Sequence, residues 1–251
     1  MCYDDTAVPP PPPGDAAPAH GEELVLTAAD GNTFAAYLAL PPGAPTAAVL
    51  ILPDIRGLHQ FYKDLALRFA ETGIATIAMD YFGRTAGLTS RAEGFEFMPH
   101  VQQLTIEGIM ADAAATLARA AVAAPGVGQF SVGFCIGGTL AYLSGAETLG
   151  LAGLVGFYAG MSRSIGERGT LLERAHEVAI PSLGLFGGAD QGIPVEQVAQ
   201  LDVGLDATGQ PHTIVIYDDA PHSFFDRRQQ EYAEASADAW RQMLAFIERH
   251  R

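Results

Sequence analysis

The residues most able to do chemistry sit in Gly133-Phe134-Cys135-Ile136-Gly137-Gly138, which comes directly after Gln129 to Gly133, an apolar run that reads as a buried strand. A cysteine framed by glycines at a strand-to-helix turn is the pattern of a nucleophile elbow, with sulfur where serine usually stands. The glycines are needed because a Cβ beside the nucleophile would collide with the neighbouring strand or helix. Such a turn also aims the first N–H groups of the next helix at the reacting point, favouring thiolate and a developing oxyanion. Taken alone, the hexapeptide also fits a small apolar side chain packed in a tight turn.

A thiol nucleophile needs a base and an acid, and in this arrangement they come after it in the order acid, then histidine. Asp190 comes after the apolar strand Pro181 to Phe186 and the turn Gly187-Gly188-Ala189. Its alternatives are a helix cap or a turn closure near Ile193-Pro194. Asp218 and Asp219 are rivals that read as turn residues after the strand His212 to Tyr217. His222, in Ala220-Pro221-His222-Ser223-Phe224, is the base candidate, because it alone of seven histidines is last in order and in a loop at a strand end. His59 stays open as a pocket residue, although it precedes the nucleophile.

These parts define a reaction. His222, oriented by Asp190, takes the thiol proton, and Cys135 attacks an ester or lactone carbonyl while the N–H groups of Ile55 and Ile136 receive the oxyanion. Water then hydrolyses the thioester. A thiolate leaves a tetrahedral intermediate readily, so esters and lactones are favoured over amides.

Gly-Phe-Cys-Ile-Gly-Gly, Gly-Gly-Ala-Asp and Pro-His-Ser-Phe, in this order, resemble the dienelactone hydrolase family, and the similarity runs from about Glu22 to the C-terminus. It includes Leu52-Pro53-Asp54-Ile55-Arg56-Gly57-Leu58 and Met79-Asp80-Tyr81-Phe82-Gly83-Arg84. The resemblance implies a cofactor-free α/β-hydrolase fold with a Cys135, His222, Asp190 triad and a small ester or lactone substrate, anionic in the type activity, the opening of dienelactone. Asp54 stands where well-known members have a glutamate that holds the resting thiol; it also fits a turn or capping role. Arg84 matches the first of two arginines that hold the substrate carboxylate. The second position falls on Asp226, whose charge would repel a carboxylate, with Arg227 adjacent as a substitute. Arg56 is read as adding positive charge to the pocket. For Arg56 and Arg227 an ion-paired or solvated role is the alternative.

The elements that must position these residues alternate. Strands near 47–52, 74–79, 129–133, 153–158, 181–186 and 212–217 are separated by helical spacings such as Leu65-Phe69 and Ile109 to Leu117, the signature of a mostly parallel, doubly wound sheet. Glu23 to Ala28 and Thr33 to Leu40, bridged by Asp30-Gly31-Asn32, read as a hairpin. A final helix is expected from about Asp226. All proposed site residues then lie at strand carboxyl ends, where such sheets bind ligands. Phe82, Phe95, Tyr158 and Phe224 are candidates to line the pocket, or simply core.

With 251 residues, 49% of them hydrophobic, the chain supports a single domain from residue 21 onward. A net charge of −15 with Lys63 as the one lysine excludes a phosphate-backbone or anionic-membrane docking surface. Cys2 and Cys135 make neither a disulfide framework nor a zinc site, which fits a reducing, cytoplasmic setting. Residues 1–20, with the run Pro9 to Pro13 flanked by Asp4, Asp5 and Asp15, are expected to form an extended, disordered tail. A monomer or small homo-oligomer is expected. Two other functions are compatible with the same residues: a carboxylesterase or thioesterase on a non-lactone substrate, and a ligand-binding module without turnover.

Overall fold

The computed structural model describes residues 6–14 and 17–251. β1 (His20–Thr27) and β2 (Thr33–Leu40) form the expected antiparallel hairpin, and Gly31 in its turn takes φ +88°, a conformation that costs glycine little. β3 (Ala47–Leu52), α1 (Gln60–Glu71) and β4 (Ile74–Met79) begin the alternating part. Three helices come next, α2 (Gly83–Ala86), α3 (Met98–Val101) and α4 (Ile106–Ala123). They lead into β5 (Gln129–Phe134), α5 (Ile136–Ser144), β6 (Gly153–Phe157), α6 (Leu171–Arg174) and β7 (Ser182–Gly187). The chain ends with α7 (Val195–Asp206), β8 (His212–Tyr217) and α8 (Ala233–His250).

The eight strands make one sheet in the order β1-β2-β4-β3-β5-β6-β7-β8, antiparallel at β1/β2 and β2/β4 and parallel elsewhere. From β3 to β7 the inner strands are buried on both faces, which explains their continuous apolar sequences; edge strand β8 is half exposed. Ala36, Leu38, Ala48, Ala75 and Ile77 pack with Ala120 and Ala124 at the end of α4. The larger core cluster includes Phe69 of α1 and Trp240 of α8, whose rings meet edge to face 4.8 Å apart. Among the described residues no helix is long and apolar enough to cross a membrane.

Two expectations are corrected. Pro9 and Pro10 are buried, and the Trp240 indole N–H donates to the Pro10 carbonyl at 3.0 Å, so the described part of the proline run is a strap on α8 and not a disordered tail. An extended proline segment leaves its carbonyls unpaired, and a buried indole needs an acceptor; each supplies what the other lacks. Cys2, Asp4, Asp5 and Asp15 lie outside the described residues. The last helix starts at Ala233 and not near Asp226, because residues 222–232 are a chain of turns in which the Asp226 carboxylate accepts from the Arg227 N–H and the Tyr158 hydroxyl.

Candidate active site

Cys135 caps α5 with φ 57° and ψ −118°, a region that side-chain-bearing residues rarely occupy. Its N–H donates to the Phe157 carbonyl at 3.1 Å, which ties the turn to β6. The three glycines are required by close approach. A Cβ on Gly133 would strike the Gly137 carbonyl, one on Gly137 the Leu52 and Pro53 carbonyls, and one on Gly138 would lie 2.5 Å from the Phe157 oxygen. These are backbone atoms that cannot turn aside. As the first residue of the helix, Ile136 has no intrahelical acceptor for its N–H, and among the described residues it has no other.

Asp190 and His222 meet as the chain order requires. Asp190 is buried after β7, its Oδ2 2.6 Å from His222 Nδ1, while its Oδ1 accepts from the Gly192 N–H at 2.9 Å. The double glycine makes this meeting possible. A Cβ on Gly187 would strike the Ala220 carbonyl, and one on Gly188 would lie 2.6 Å from the Asp218 oxygen, so the β7 loop is pressed against the turn leading to His222. Asp218 and Asp219 are exposed in that turn. With Nδ1 donating to the carboxylate, Nε2 of the half-buried His222 is the nitrogen left to act as base. The Tyr158 ring packs 4.8 Å from the imidazole.

Cys135, Ile136, Ile55, Asp190 and His222 line one cavity of about 790 Å³. Val101, Met161, Ile165 and Ile193 supply much of its apolar wall. Arg163, Arg227 and Arg228 also line it, against a single carboxylate, Asp190. Arg228 is paired with Glu231 at 2.6 Å, whereas among the described residues neither Arg163 nor Arg227 enters an ion pair.

The structure does not bring the other candidates to this cavity. Arg84, in α2, is held by the buried Asp112 of α4 at 2.8 Å and by Asp30 of the hairpin turn at 2.6 Å, so its charge is already neutralised. Arg56 is fully buried, with Nη2 donating to the Arg91 carbonyl at 2.9 Å. Asp54 is buried, and its Oδ1 accepts from the Arg56 N–H at 3.0 Å and faces His59 Nε2 at 3.5 Å. His59 borders a separate cavity of about 340 Å³ with Lys63 and Arg91. Phe82 packs against Tyr81 and Phe95, and Phe224 against Phe157 and Tyr217; both are core. Tyr158 is buried with φ +35°, backing His222 and donating to Asp226 Oδ2 at 3.1 Å, so Asp226 turns inward and does not face the cavity. Sequence reasoning kept Arg227 but missed Arg163 and Met161, although both come after β6 at the sheet edge where ligands bind.

The model of the dienelactone hydrolase family matches residues 34–251. The chain belongs to the dienelactone hydrolase family. A Methylorubrum extorquens protein named "Putative carboxymethylenebutenolidase" is 29% identical over 245 residues, covering 91% of this chain and 80% of that protein. A Bradyrhizobium protein named "Probable 2-oxo-3-(5-oxofuran-2-ylidene)propanoate lactonase" is 27% identical over 231 residues, with 88% and 91% coverage. Among solved structures, one titled "Putative Dienelactone Hydrolase" from Klebsiella pneumoniae superposes with a TM-score of 0.80 at 25% identity, covering 92% of this chain and 99% of that one. Membership in the dienelactone hydrolase family agrees with the α/β-hydrolase sheet and with an elbow at the carboxyl end of β5.

Proposed function

We propose that this dienelactone hydrolase family member hydrolyses ester or lactone bonds through Cys135, His222 and Asp190. The observation that carries the reading is the 2.6 Å Asp190–His222 pair in the same cavity as a cysteine held in a glycine-framed elbow. His222 Nε2 takes the thiol proton, sulfur bonds to the carbonyl carbon, and the carbonyl π pair moves to oxygen between the Ile55 and Ile136 N–H groups. Collapse expels the alkoxide, which takes the proton from His222. Water, deprotonated by His222, then attacks the thioester and expels the thiolate, which takes that proton back from His222 and restores the resting pair. No step requires a cofactor.

The substrate this cavity suits is anionic. In a chain with 29 acidic and 14 basic residues, a wall with three arginines and one engaged carboxylate is a local reversal of sign. Arg163 and Arg227, which enter no close ion pair among the described residues, are the groups to hold the anion, in place of Arg84 and Arg56. The 790 Å³ volume favours a second reading alongside lactones, an ester with an acyl or alcohol part much larger than one lactone ring. The test is hydrolysis of dienelactone, p-nitrophenyl acetate and a longer carboxylate-bearing aryl ester by the wild type beside Cys135→Ala. Loss of all turnover in the variant supports the reading. Ligand binding without Cys135-dependent product release would point to a non-catalytic module.

A further inference from the structure

The loop after β3 is fastened at nearly every backbone N–H. The Asp54 N–H donates to the Tyr62 hydroxyl at 3.0 Å, the Arg56 N–H to Asp54 Oδ1 at 3.0 Å, and the Gly57 N–H to the Asp54 carbonyl at 3.0 Å. The Leu58 N–H donates to Asp80 Oδ1 at 3.4 Å and the His59 N–H to the Gly57 carbonyl at 3.0 Å. Between Asp54 and His59 only the Ile55 N–H has no acceptor among the described residues, and Ile55 lines the Cys135 cavity. That N–H belongs to the same planar peptide as the Asp54 carbonyl. In a trans peptide the two point in opposite directions, so whatever fixes the carbonyl aims the N–H.

The group that reaches across from the turn after β4 to fix it is the fully buried Tyr81, whose hydroxyl donates to the Asp54 carbonyl. We propose that Tyr81 is a positioning residue for the oxyanion hole, acting through the Asp54–Ile55 peptide to hold and polarise the Ile55 N–H. This rests on the thiol-hydrolase reading above. The hydrogen bond to the carbonyl withdraws electron density through the amide, which makes the N–H a stronger donor as well as a fixed one. Burial holds the Tyr81 phenol well above its ordinary pKa, so it keeps its proton and stays a donor. Asp54 therefore matters for its backbone: its carbonyl receives Tyr81 and Gly57, and its peptide presents the donor of Ile55.

Tyr81→Phe tests this, because it removes only the hydroxyl and leaves the Asp54 carbonyl its bond from the Gly57 N–H. Losing an entire oxyanion donor costs about 100-fold or more in kcat; loosening one is expected to cost about 10-fold. KM for p-nitrophenyl acetate and the rate of Cys135 alkylation by iodoacetamide stay within twofold, since alkylation uses the thiolate but forms no oxyanion. Tyr62→Phe, which frees a neighbouring N–H in the same loop, controls for general loosening: it lowers the melting temperature but reduces kcat less than Tyr81→Phe. An unchanged kcat in Tyr81→Phe would overturn the proposal. So would alkylation falling in step with kcat, or equal kcat losses in the two variants. Wild-type turnover that survives Cys135→Ala overturns the underlying thiol reading, and the proposal with it; a Cys135-dependent enzyme indifferent to Tyr81→Phe overturns the positioning role alone.

Discussion

Replacing Asp190 by asparagine keeps the shape of the side chain and removes its charge, in surroundings where both carboxylate oxygens are engaged. Oδ2 is held by His222 Nδ1 at 2.6 Å and Oδ1 by the Gly192 N–H at 2.9 Å. An asparagine has one acceptor oxygen to divide between these two donors. If that oxygen stays with Gly192, the amide NH2 faces Nδ1, which must then be unprotonated. The imidazole proton moves to Nε2, the nitrogen needed as the base. A charge-assisted hydrogen bond to a buried carboxylate contributes about 1.5–3 kcal/mol, which at 1.36 kcal/mol per tenfold converts to roughly a 10- to 150-fold fall in kcat. The assay is steady-state hydrolysis of p-nitrophenyl acetate at pH 7, with the melting temperature monitored so that rate loss is not mistaken for unfolding. A kcat within threefold of wild type, in a folded variant, would refute the claim that Asp190 orients the base.

Other perturbations act through contacts at the elbow, the cavity wall, the α2 ion pair and the N-terminal strap. Gly137→Ala drives a Cβ into the Leu52 and Pro53 carbonyls; the expected loss is about 3 kcal/mol or more, read as a sharp fall in urea midpoint or in soluble yield. Arg163→Ala raises KM for a carboxylate-bearing ester several-fold while leaving a neutral ester unchanged, and equal effects on both would contradict the anion role. Arg84→Gln leaves both KM values unchanged and lowers stability by about 1–3 kcal/mol in urea titration, since Asp112 loses its charged partner. Deleting residues 1–14 uncovers Trp240, the only tryptophan, so intrinsic emission shifts to the red; an unshifted spectrum would contradict the strap.

The triad candidates were legible because each is announced by a local constraint. Glycines at 133, 137 and 138 have no room for a Cβ, the pair at 187 and 188 closes one loop on another, and the apolar strands β3 to β7 leave only their carboxyl ends for polar chemistry. The arginines proposed for recognition were not legible, because their availability depends on partners distant in sequence. Arg84 in its motif gives no sign that Asp112, on α4, and Asp30, in the hairpin turn, converge on it. Arg56 lies in a loop that looks exposed in sequence, yet Arg91 closes over it. Arg163 sits in an aperiodic segment after β6, where neither helix nor strand spacing marks a facing side. The proline run reads as solvated by composition, and only the indole of Trp240, in the last helix, gives it a docking site. Local sequence thus specified where atoms must be close, and long-range packing decided which charges remain available.

The most direct test of the central claim is acid-quenched mass spectrometry of the protein mixed with p-nitrophenyl acetate. Peptide mapping should place an acetyl group on Cys135, labile to hydroxylamine as a thioester is, and Cys135→Ala should neither carry the label nor turn over substrate. Acetylation at another residue during unimpaired turnover, or activity retained in Cys135→Ala, would contradict the assignment of Cys135 as the nucleophile.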